Sequence, residues 1–409
     1  MAEPRTYLDH NATAPLRPEA RAAMLAALDV FGNASSVHSE GRRARGLVED
    51  AREQVAALVG AKPEEVVFTS GATEANNWVM RAGWDALFVG ATEHDSVLTP
   101  ARTVDPELIE LPCDANGLID YSALHAMFSS PLLAGAELAP ARSGTRSPGR
   151  SLLSVHLANA ETGVLQQIGK VVEVGRTQGH LVHSDAVQAC GRVAIDFEAL
   201  GLDFMSISAH KLGGPKGVGA LVIRDGLDLP TQMAGGGQER RRRAGTENVA
   251  SIAGFGAAAE AAKAGLGRMA QIAQLRDQLE ESVRSITPAA LVIGADAPRL
   301  PNTSCIALAG AEAATLLIKL DLAGIAVSAG SACSSGKIGG SHVLAAMGID
   351  PAQARGAIRV SLGPTSTEHD IARFVAAWAA IHRAQAEHRH NRTAAGAISR
   401  PLAHVKAGE

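Results

Sequence analysis

A lysine that could act as a nucleophile, Lys211, follows a short apolar segment and precedes a glycine-rich turn. Residues 204–207 form an apolar run typical of a buried strand in a parallel sheet, and a second strand is predicted at 218–223. Desolvation at the edge of a core lowers the pKa of a lysine and frees its amine to form a Schiff base. A surface lysine in a turn is the simpler interpretation of one residue, so the rest of the chain has to decide.

Two further polar residues follow predicted buried strands, Asp185 in HSDAVQ and His94 in ATEHD. The carboxylate of Asp185 could pair with the pyridinium nitrogen of a pyridoxal cofactor and keep it protonated, so that the ring withdraws electrons. His94 could stack on a flat cofactor and exchange protons near neutral pH. The alternatives are an aspartate that caps the next turn and a histidine in a solvent-facing loop. The spacing from Asp185 to Lys211 allows both to lie at the same edge of one sheet.

A predicted strand turns directly into a predicted helix at SGATE, residues 70–74. Free backbone N–H groups and the helix dipole make such a helix N-terminus a binding place for phosphate, and the Thr73 hydroxyl adds a donor. An ordinary helix cap, with Glu74 in the first turn, explains the same residues equally well.

Cys333 lies among small residues in SAGSACSSG, which predicts an exposed and flexible loop. The other cysteines, Cys113, Cys190 and Cys305, have apolar or packed neighbours and are expected to be small core residues. An exposed thiol in a reducing compartment is a candidate nucleophile, and an unreactive loop residue is the alternative.

Arginines occur in two places where they could bind an anion. Arg359 stands in a predicted strand, where it needs a partner, and bidentate binding of a carboxylate is the commonest use. An internal salt bridge is the alternative. The basic run 240–243 follows three glycines and could reach a phosphate or a partner subunit, although a solvated loop explains it as well.

Alternating strands and helices have to position these residues. Apolar runs near 65–69, 87–89, 107–111, 152–157, 181–184 and 204–207 alternate with helical segments, which indicates an α/β fold with a parallel sheet covered on both faces. Two helices are predicted at 246–265 and 268–286, followed by a smaller α+β unit. Residues 129–150 have no period and are expected to form an exposed insertion.

Composition excludes several classes of protein. The 409 residues carry a net charge of -4, which gives no basic footprint for nucleic acid or an anionic membrane. No apolar stretch approaches the length of a membrane span, and the N-terminus lacks the apolar region of a signal peptide. The four cysteines show no CxxC pair and no zinc spacing. The sequence therefore predicts a soluble cytoplasmic protein without a metal site.

Ten segments in this order resemble one family. They are LDHNATAP, GNASSVH, FTSGATEANN, TEHDSVL, ANAETG, HSDAVQ, SAHKLGGPKG, GGGQERRRRAGTEN, SAGSACSSGK and IRVSLG. The chain resembles the cysteine desulfurases, pyridoxal-phosphate enzymes of the class V aminotransferase superfamily, over residues 7–380. Its cysteine segment is similar to that of the subgroup with a long mobile cysteine loop, which serves general iron–sulfur assembly.

The resemblance implies a fold-type I pyridoxal-phosphate enzyme, with a mostly parallel sheet of the seven-stranded type and a smaller α+β domain. We place a large cofactor-binding domain at 16–262. Residues 1–15 and 263–385 would form the small domain with the cysteine loop, and 386–409 a polar tail.

The resemblance also implies a role for each matching residue. Lys211 would form the Schiff base with pyridoxal 5′-phosphate, His94 would stack on the ring and carry protons, and Cys333 would form the persulfide. The remaining matches are Asp185 to the pyridinium nitrogen, Gln188 to the ring hydroxyl, Ala72, Thr73, Ser208 and His210 to the phosphate, Thr246 to the phosphate of a second subunit, and Asn33 and Arg359 to the substrate carboxylate. The match at Thr246 implies a homodimer.

The implied reaction converts L-cysteine to L-alanine and leaves a persulfide on Cys333. The sulfur would pass to an acceptor protein such as an iron–sulfur scaffold, or to thio-cofactor or tRNA modification. Another class V enzyme, a selenocysteine lyase or an aminotransferase, is the alternative, and a non-catalytic sulfur-transfer scaffold is a third. The loop cysteine argues against an aminotransferase, and the retained Lys211, Asp185 and His94 argue against the scaffold.

The chain departs from the family pattern at three places. Ala160 stands where the family has the asparagine that approaches the cofactor ring hydroxyl. Either Gln188 makes this contact alone or Asn159 adapts to make it. Gln238 stands where the family often has histidine, and the segment 129–150 is longer than the usual link.

Overall fold

The computed structural model describes residues 5–104, 107–129, 150–330 and 340–398, with side chains left undescribed at 128–129 and 384–398. Cys333, most of the predicted insertion and the last part of the predicted tail lie outside the described residues.

The described chain alternates between short strands and longer helices, which are numbered here in chain order. The strands are β1 Thr6–Tyr7, β2 Val66–Thr69, β3 Ala86–Gly90, β4 Glu107–Leu111, β5 Ser151–Ser154, β6 Leu181–Asp185, β7 Phe204–Ser208, β8 Gly219–Ile223, β9 Ala290–Val292, β10 Thr303–Leu308, β11 Ile325–Ala326, β12 Ser328–Ala329 and β13 Ile358–Ser361. The helices are α1 Pro18–Leu28, α2 Ser39–Val59, α3 Ala72–Met80, α4 Asp95–Thr103, α5 Tyr121–Ser129, α6 Ile168–Thr177, α7 Phe197–Leu200, α8 Val249–Ala264, α9 Met269–Ile286, α10 Ala313–Leu322, α11 His342–Ala346, α12 Pro351–Ala354 and α13 Glu368–Ile398.

A seven-stranded sheet in the order β2-β8-β7-β6-β5-β3-β4 forms the centre of the fold. Strands β4, β3, β5, β6 and β7 run parallel, whereas β8 is antiparallel to both β7 and β2. The predicted α/β class with a mostly parallel seven-stranded sheet is therefore confirmed. Because the parallel strands end on the same side, the residues that follow β3, β5, β6 and β7 meet at one edge.

Helices cover both faces of this sheet because successive side chains of a strand point in opposite directions. In β5, Leu153 packs into the cluster that contains helices α2, α6 and α8, whereas its neighbour Leu152 packs with α3 and α4 on the other face. Both leucines are completely buried. The strands therefore read as continuous apolar runs, which is why they could be located in the sequence.

A second, antiparallel sheet has the order β12-β13-β10-β9 and packs on α9, α10 and α13. Strand β1 pairs in parallel with β11 as a separate two-stranded sheet, and Leu8, which follows β1, packs in the same apolar cluster as β10 and β13. The division into domains at residues 16 and 262 stays a prediction. Over the described ranges, no helix is long and apolar enough to cross a membrane.

A buried histidine links three neighbouring strands of the central sheet. The Nδ1 atom of His183 lies 2.9 Å from the Ser154 hydroxyl, and its Nε2 atom lies 3.0 Å from the Ser206 hydroxyl. Burial lowers the pKa of His183 to about 4. The neutral ring can donate to one serine and accept from the other, so both hydrogen bonds are satisfied without a charge in the core.

We expect the protein to lose stability as the pH falls from about 6.5 to about 4. Burial also lowers the pKa of His10 and His210 to about 4. In the unfolded chain the histidine pKa values are about 6.5, so between these pH values it binds more protons than the folded chain, and acid favours unfolding. Thermal unfolding at several pH values measures the slope. The variant His183→Gln should flatten it, and the exposed control His125→Gln should leave it unchanged.

Candidate active site

A cavity of about 550 Å³ lies at the edge where the parallel strands end. Its volume falls within the usual range for small-ligand sites. Eight residues predicted to bind or activate the cofactor line it: Ala72, Thr73, His94, Asp185, Gln188, Ser208, His210 and Lys211. The structure thus brings together residues that are more than 130 positions apart in the chain, as parallel strand ends require.

Lys211 ends a short 3₁₀ turn, Ala209–Lys211, directly after β7. Its Nζ atom donates to the backbone carbonyl of Asn11 at 2.6 Å and to that of Ala12 at 2.9 Å. The turn that offers these carbonyls is fixed by the fully buried Asn11 side chain, whose Nδ2 donates to Thr303 Oγ1 at 2.9 Å. The N-terminal turn therefore gives the lysine amine a defined position. Sequence reasoning found LDHNATAP as a motif but assigned no role to Asn11 or Ala12.

The N-terminus of α3 lies against the central sheet. A Cβ atom on Gly219, at the start of β8, would come 2.8 Å from the Cα of Gly71, so this approach requires glycine. The helix dipole and the first N–H groups of α3 point their positive end towards the cavity, which favours an anion such as phosphate. Glu74 in the first turn is paired: Arg243 donates to both of its carboxylate oxygens, at 2.9 and 3.2 Å.

Asp185 ends β6 with both carboxylate oxygens held. Its Oδ2 atom accepts from Asn76 Nδ2 at 2.8 Å, and its Oδ1 atom accepts from the backbone N–H of Val187 at 3.0 Å. Asn76 Nδ2 also donates to the Ser96 hydroxyl at 2.8 Å. The carboxylate thus has a fixed orientation towards the cavity. Asn76 was not found by sequence reasoning, since nothing local distinguishes it from its neighbour Asn77.

His94 is the N-cap residue of α4. Its Nδ1 atom accepts from the backbone N–H of Ser96 at 3.0 Å and lies 2.8 Å from the Ser96 hydroxyl. In the neutral ring the proton is therefore on Nε2. The helix cap fixes the ring that lines the cavity, and the chain Asp185–Asn76–Ser96–His94 connects it to the carboxylate.

Substitutions of His94 can distinguish its role as a helix cap from the chemical role of its imidazole ring. Asparagine is a good N-cap residue, so His94→Asn should unfold close to the wild-type temperature but lose about 10²- to 10⁴-fold in turnover. His94→Ala loses the cap too and should cost about 1 kcal/mol more in stability. Turnover and thermal unfolding measure the two effects. Wild-type turnover in His94→Asn would mean that the ring has no chemical role.

A buried ion pair in the cavity wall was missed by sequence reasoning. Glu93 Oε1 lies 2.9 Å from His156 Nδ1, and both side chains are buried. Burial lowers the pKa of His156, but the Glu93 carboxylate outweighs it, and the net pKa is raised. Both residues follow parallel strands, β3 and β5. The one sequence signal that could have indicated Glu93 and His156 is the position of each residue after a strand.

Of the predicted site residues that the structure describes, three do not line this cavity. The exposed Asn33 accepts from the backbone N–H of Ser35 through its side chain, at 2.8 Å. Arg359 is 1% exposed and donates to Asp9 Oδ1 at 3.0 Å, which is the internal salt bridge that the sequence left open. Thr246 lies in a separate cavity of about 240 Å³. Their roles towards substrate and phosphate stay predictions.

With alanine at position 160, two amide side chains line this cavity, those of Asn159 and Gln188. The Ala160 carbonyl accepts from Arg359 Nη1 at 3.1 Å. Asn159 is committed to its own turn, because its Oδ1 accepts from the backbone N–H groups of Glu161 and Thr162, each at 2.9 Å. Its Nδ2 donates to a backbone carbonyl at 3.1 Å. Of the two sequence alternatives, the structure therefore favours a contact through Gln188 alone.

The donor set fits pyridoxal 5′-phosphate. The glycine-lined N-terminus of α3 suits the phosphate, the oriented Asp185 carboxylate suits a protonated ring nitrogen, and the Lys211 amine suits the aldehyde carbon. His94 lines the same cavity as an aromatic ring that can stack on the cofactor.

Comparisons with known proteins agree on one family. The family Aminotransferase class-V matches residues 6–132 and 136–374. A cysteine desulfurase of Sinorhizobium fredii (strain NBRC 101917 / NGR234) is 39% identical over 382 residues, covering 90% of this chain and 94% of the relative. An IscS-like cysteine desulfurase of Mycobacterium tuberculosis (strain ATCC 25618 / H37Rv) is 40% identical over 369 residues, covering 89% of this chain and 93% of the relative.

Solved structures give the same result. The X-ray structure of a NifS-like protein from Rickettsia africae ESF-5 superposes with a TM-score of 0.83 at 34% identity, covering 93% of this chain and 99% of that protein. The structure of DndA from Streptomyces lividans superposes with a TM-score of 0.68 at 32% identity, covering 87% of this chain and 99% of that protein. The chain therefore belongs to the class V aminotransferase family and, within it, to the pyridoxal-phosphate-dependent cysteine desulfurases.

Proposed function

We propose that the protein converts L-cysteine to L-alanine and transfers the sulfur to the thiol of Cys333. The observation that carries the proposal is the single cavity that combines Lys211, Asp185 and His94 at the edge of the sheet. Bound pyridoxal 5′-phosphate supplies an electron sink for the charge that develops at the substrate α-carbon.

The residues around the cavity divide the remaining work. The Lys211 amine takes the proton from the substrate α-carbon, and the Asn11 and Ala12 carbonyls accept the hydrogen bonds of the resulting ammonium group. Asp185 holds the proton of the ring nitrogen. His94, with Nδ1 occupied by Ser96, exchanges a proton through Nε2.

The raised pKa values of the three cysteines that the structure describes support Cys333 as the nucleophile. Burial raises the pKa of Cys113 to about 11 and of Cys305 to about 12, and it raises the pKa of Cys190 as well. Thiols with raised pKa values hold little of the reactive thiolate at neutral pH.

Sulfur transfer then balances without an oxidant. The Cys333 thiolate attacks the substrate sulfur, the substrate carbon–sulfur bond breaks, and its electron pair with one proton completes the methyl group of alanine. The substrate sulfur stays bonded to the sulfur of Cys333, which is thereby converted to a persulfide.

Incubation of the purified protein with cysteine tests the proposal. We expect one alanine for each sulfur atom bound, and a mass increase of one sulfur on the peptide that contains Cys333. Selenocysteine and a keto acid, offered in parallel, distinguish a selenocysteine lyase and an aminotransferase. Alanine formation that depends on the keto acid, with no persulfide, would refute the proposal.

We further propose a homodimer in which Thr246 of one subunit approaches the phosphate in the other. The cavity beside the exposed Thr246 shares Ser70 and Gly217 with the active-site cavity, so the two are adjacent. Large apolar side chains of α1 and the loop after it are exposed and would be covered by a second chain: Leu25, Leu28, Phe31 and Val37. Light scattering measures the mass, and Thr246→Ala should weaken cofactor binding in a dimer of unchanged mass.

The acceptor of the sulfur and its place in the cell belong to the same proposal. We propose a cytoplasmic acceptor protein such as an iron–sulfur scaffold, because the segment SAGSACSSGK is similar to that of the subgroup that serves general iron–sulfur assembly. Residues 16–262 are proposed as the large domain, and residues 1–15 together with 263–385 as the small domain.

A further inference from the structure

A buried arginine, Arg192, lies behind the wall of the active-site cavity. Its Nη1 group donates to Gln188 twice, to the backbone carbonyl at 2.7 Å and to the side-chain Oε1. Its Nη2 group donates to the carbonyls of His10, at 3.3 Å, and Lys211, at 3.5 Å. The side chain is 7% exposed, and none of the ion pairs in the described part of the chain involves it. One guanidinium thus binds both the lysine segment and a residue of the cavity wall.

These contacts determine which way the Gln188 amide points. A guanidinium can only donate, so it requires the oxygen of the amide on its side. On the other side, the amide nitrogen donates to the Asn11 carbonyl at 3.1 Å, and a carbonyl can only accept. The reverse orientation would place donor against donor and acceptor against acceptor. The nitrogen keeps a second hydrogen, and Gln188 lines the cavity.

Arg192 also places a positive charge near the cavity. It lines a second cavity of about 260 Å³ on the far side of Lys211, together with His10, Cys190 and two further charged residues, Arg17 and Glu19, which interact with each other. Burial and then Arg359 lower the pKa of Arg192 to about 9, which leaves it charged at neutral pH. Burial keeps His10 neutral and raises the pKa of the Cys190 thiol, so neither group cancels the charge.

We propose that Arg192 is a positioning residue for the cofactor: it fixes the Gln188 amide so that an N–H faces the oxygen of the cofactor ring, and with this N–H it favours the ionised form of that oxygen. The proposal rests on the proposed function. It matters in this chain because Ala160 offers no amide and Asn159 is used in its own turn.

The test is a pH titration of the visible absorbance of the bound cofactor in the holoenzyme. A donor and a positive charge beside an oxygen favour its proton-poor form, so their removal lets the cofactor keep a proton to higher pH. We expect Arg192→Met to raise the titration midpoint by about one pH unit. Gln188→Leu removes the N–H but keeps the Arg192 charge, so it should raise the midpoint by less, and the double variant should match Arg192→Met, which already removes both the charge and the fixed amide.

Arg17 provides a matched control. Its Nε atom donates to the carbonyl of Leu212 at 2.8 Å, next to the lysine, and it lines the same second cavity. This hydrogen bond is made to the lysine turn and does not involve the Gln188 amide. Arg17→Met removes a positive charge from the same cavity but no contact to the Gln188 amide, so it should lower thermal stability and shift the midpoint clearly less than Arg192→Met.

An unchanged midpoint in Arg192→Met overturns the inference. If that variant does not fold, Gln188→Leu takes its place: it removes the N–H that would face the cofactor oxygen, and a midpoint equal to the wild type overturns the inference equally. Failure of the proposed function is distinct, because the wild-type holoenzyme would then form no alanine from cysteine.

Discussion

Lys211→Ala should carry no covalently attached cofactor and should form alanine from cysteine at least about 10³-fold more slowly than the wild type. The amine is both the group that attaches the cofactor and the base that takes the α-proton. In the structure it has a defined position against the Asn11 and Ala12 carbonyls, and an alanine side chain supplies neither a nucleophile nor a base there. Borohydride reduction followed by peptide mass analysis measures the attachment, and an alanine assay measures turnover.

Lys216 is the matched control for this substitution. It lines the same cavity but lies beyond the glycines that come after Lys211. Lys216→Ala should therefore keep the cofactor attached through Lys211. Reduced Lys211→Ala protein with the cofactor on any other lysine would show that the attachment site was assigned wrongly.

Cys333→Ser should bind the cofactor like the wild type and form no persulfide, with sulfide release lowered on the order of 10³-fold or more. A serine hydroxyl is nearly the size of a thiol but cannot accept sulfur. Because the cavity residues are untouched, the visible spectrum of the cofactor should not change. The measurements are the absorbance spectrum, peptide mass after incubation with cysteine, and sulfide released by a thiol reductant.

The other cysteines serve as controls. Cys113 is the most accessible of the three described thiols, and its pKa is raised to about 11 by burial and Asp114. Cys113→Ser should keep wild-type persulfide formation. Sulfide release at the wild-type rate by Cys333→Ser would remove Cys333 from the reaction and leave the cofactor chemistry intact.

Features that depend on local pattern could be predicted from the sequence. Apolar runs located the strands, and parallel strands bring their carboxyl ends together, so Lys211, Asp185 and His94 could be placed at one edge from the sequence alone. The partners of these residues could not be found in this way. Asn11 lies 200 positions before Lys211, and Asp9 lies 350 positions before Arg359. Such pairs depend on how distant segments of the chain pack together, and no periodicity in the sequence indicates that packing.

Arg192 is a second example of a residue whose partners cannot be predicted from the sequence. In the sequence it is one basic residue after a glycine. Its effect on Gln188 depends on four carbonyl-type acceptors that converge from the N-terminal turn, the lysine turn and its own segment. Only the tertiary structure shows that these four oxygen atoms surround the Arg192 guanidinium group.

The pairing of the first strand has a consequence for biosynthesis. The turn that receives the Lys211 amine is held by late parts of the chain: Leu8 donates its backbone N–H to Ala326 at 2.9 Å, and the backbone N–H of Asn11 donates to Ser361 Oγ at 3.0 Å. Asn11 is synthesised 350 positions before its partner Ser361. We therefore expect a nascent chain that has not reached Ser361 to expose its lysine without these carbonyl partners, so that cofactor capture requires synthesis through β13.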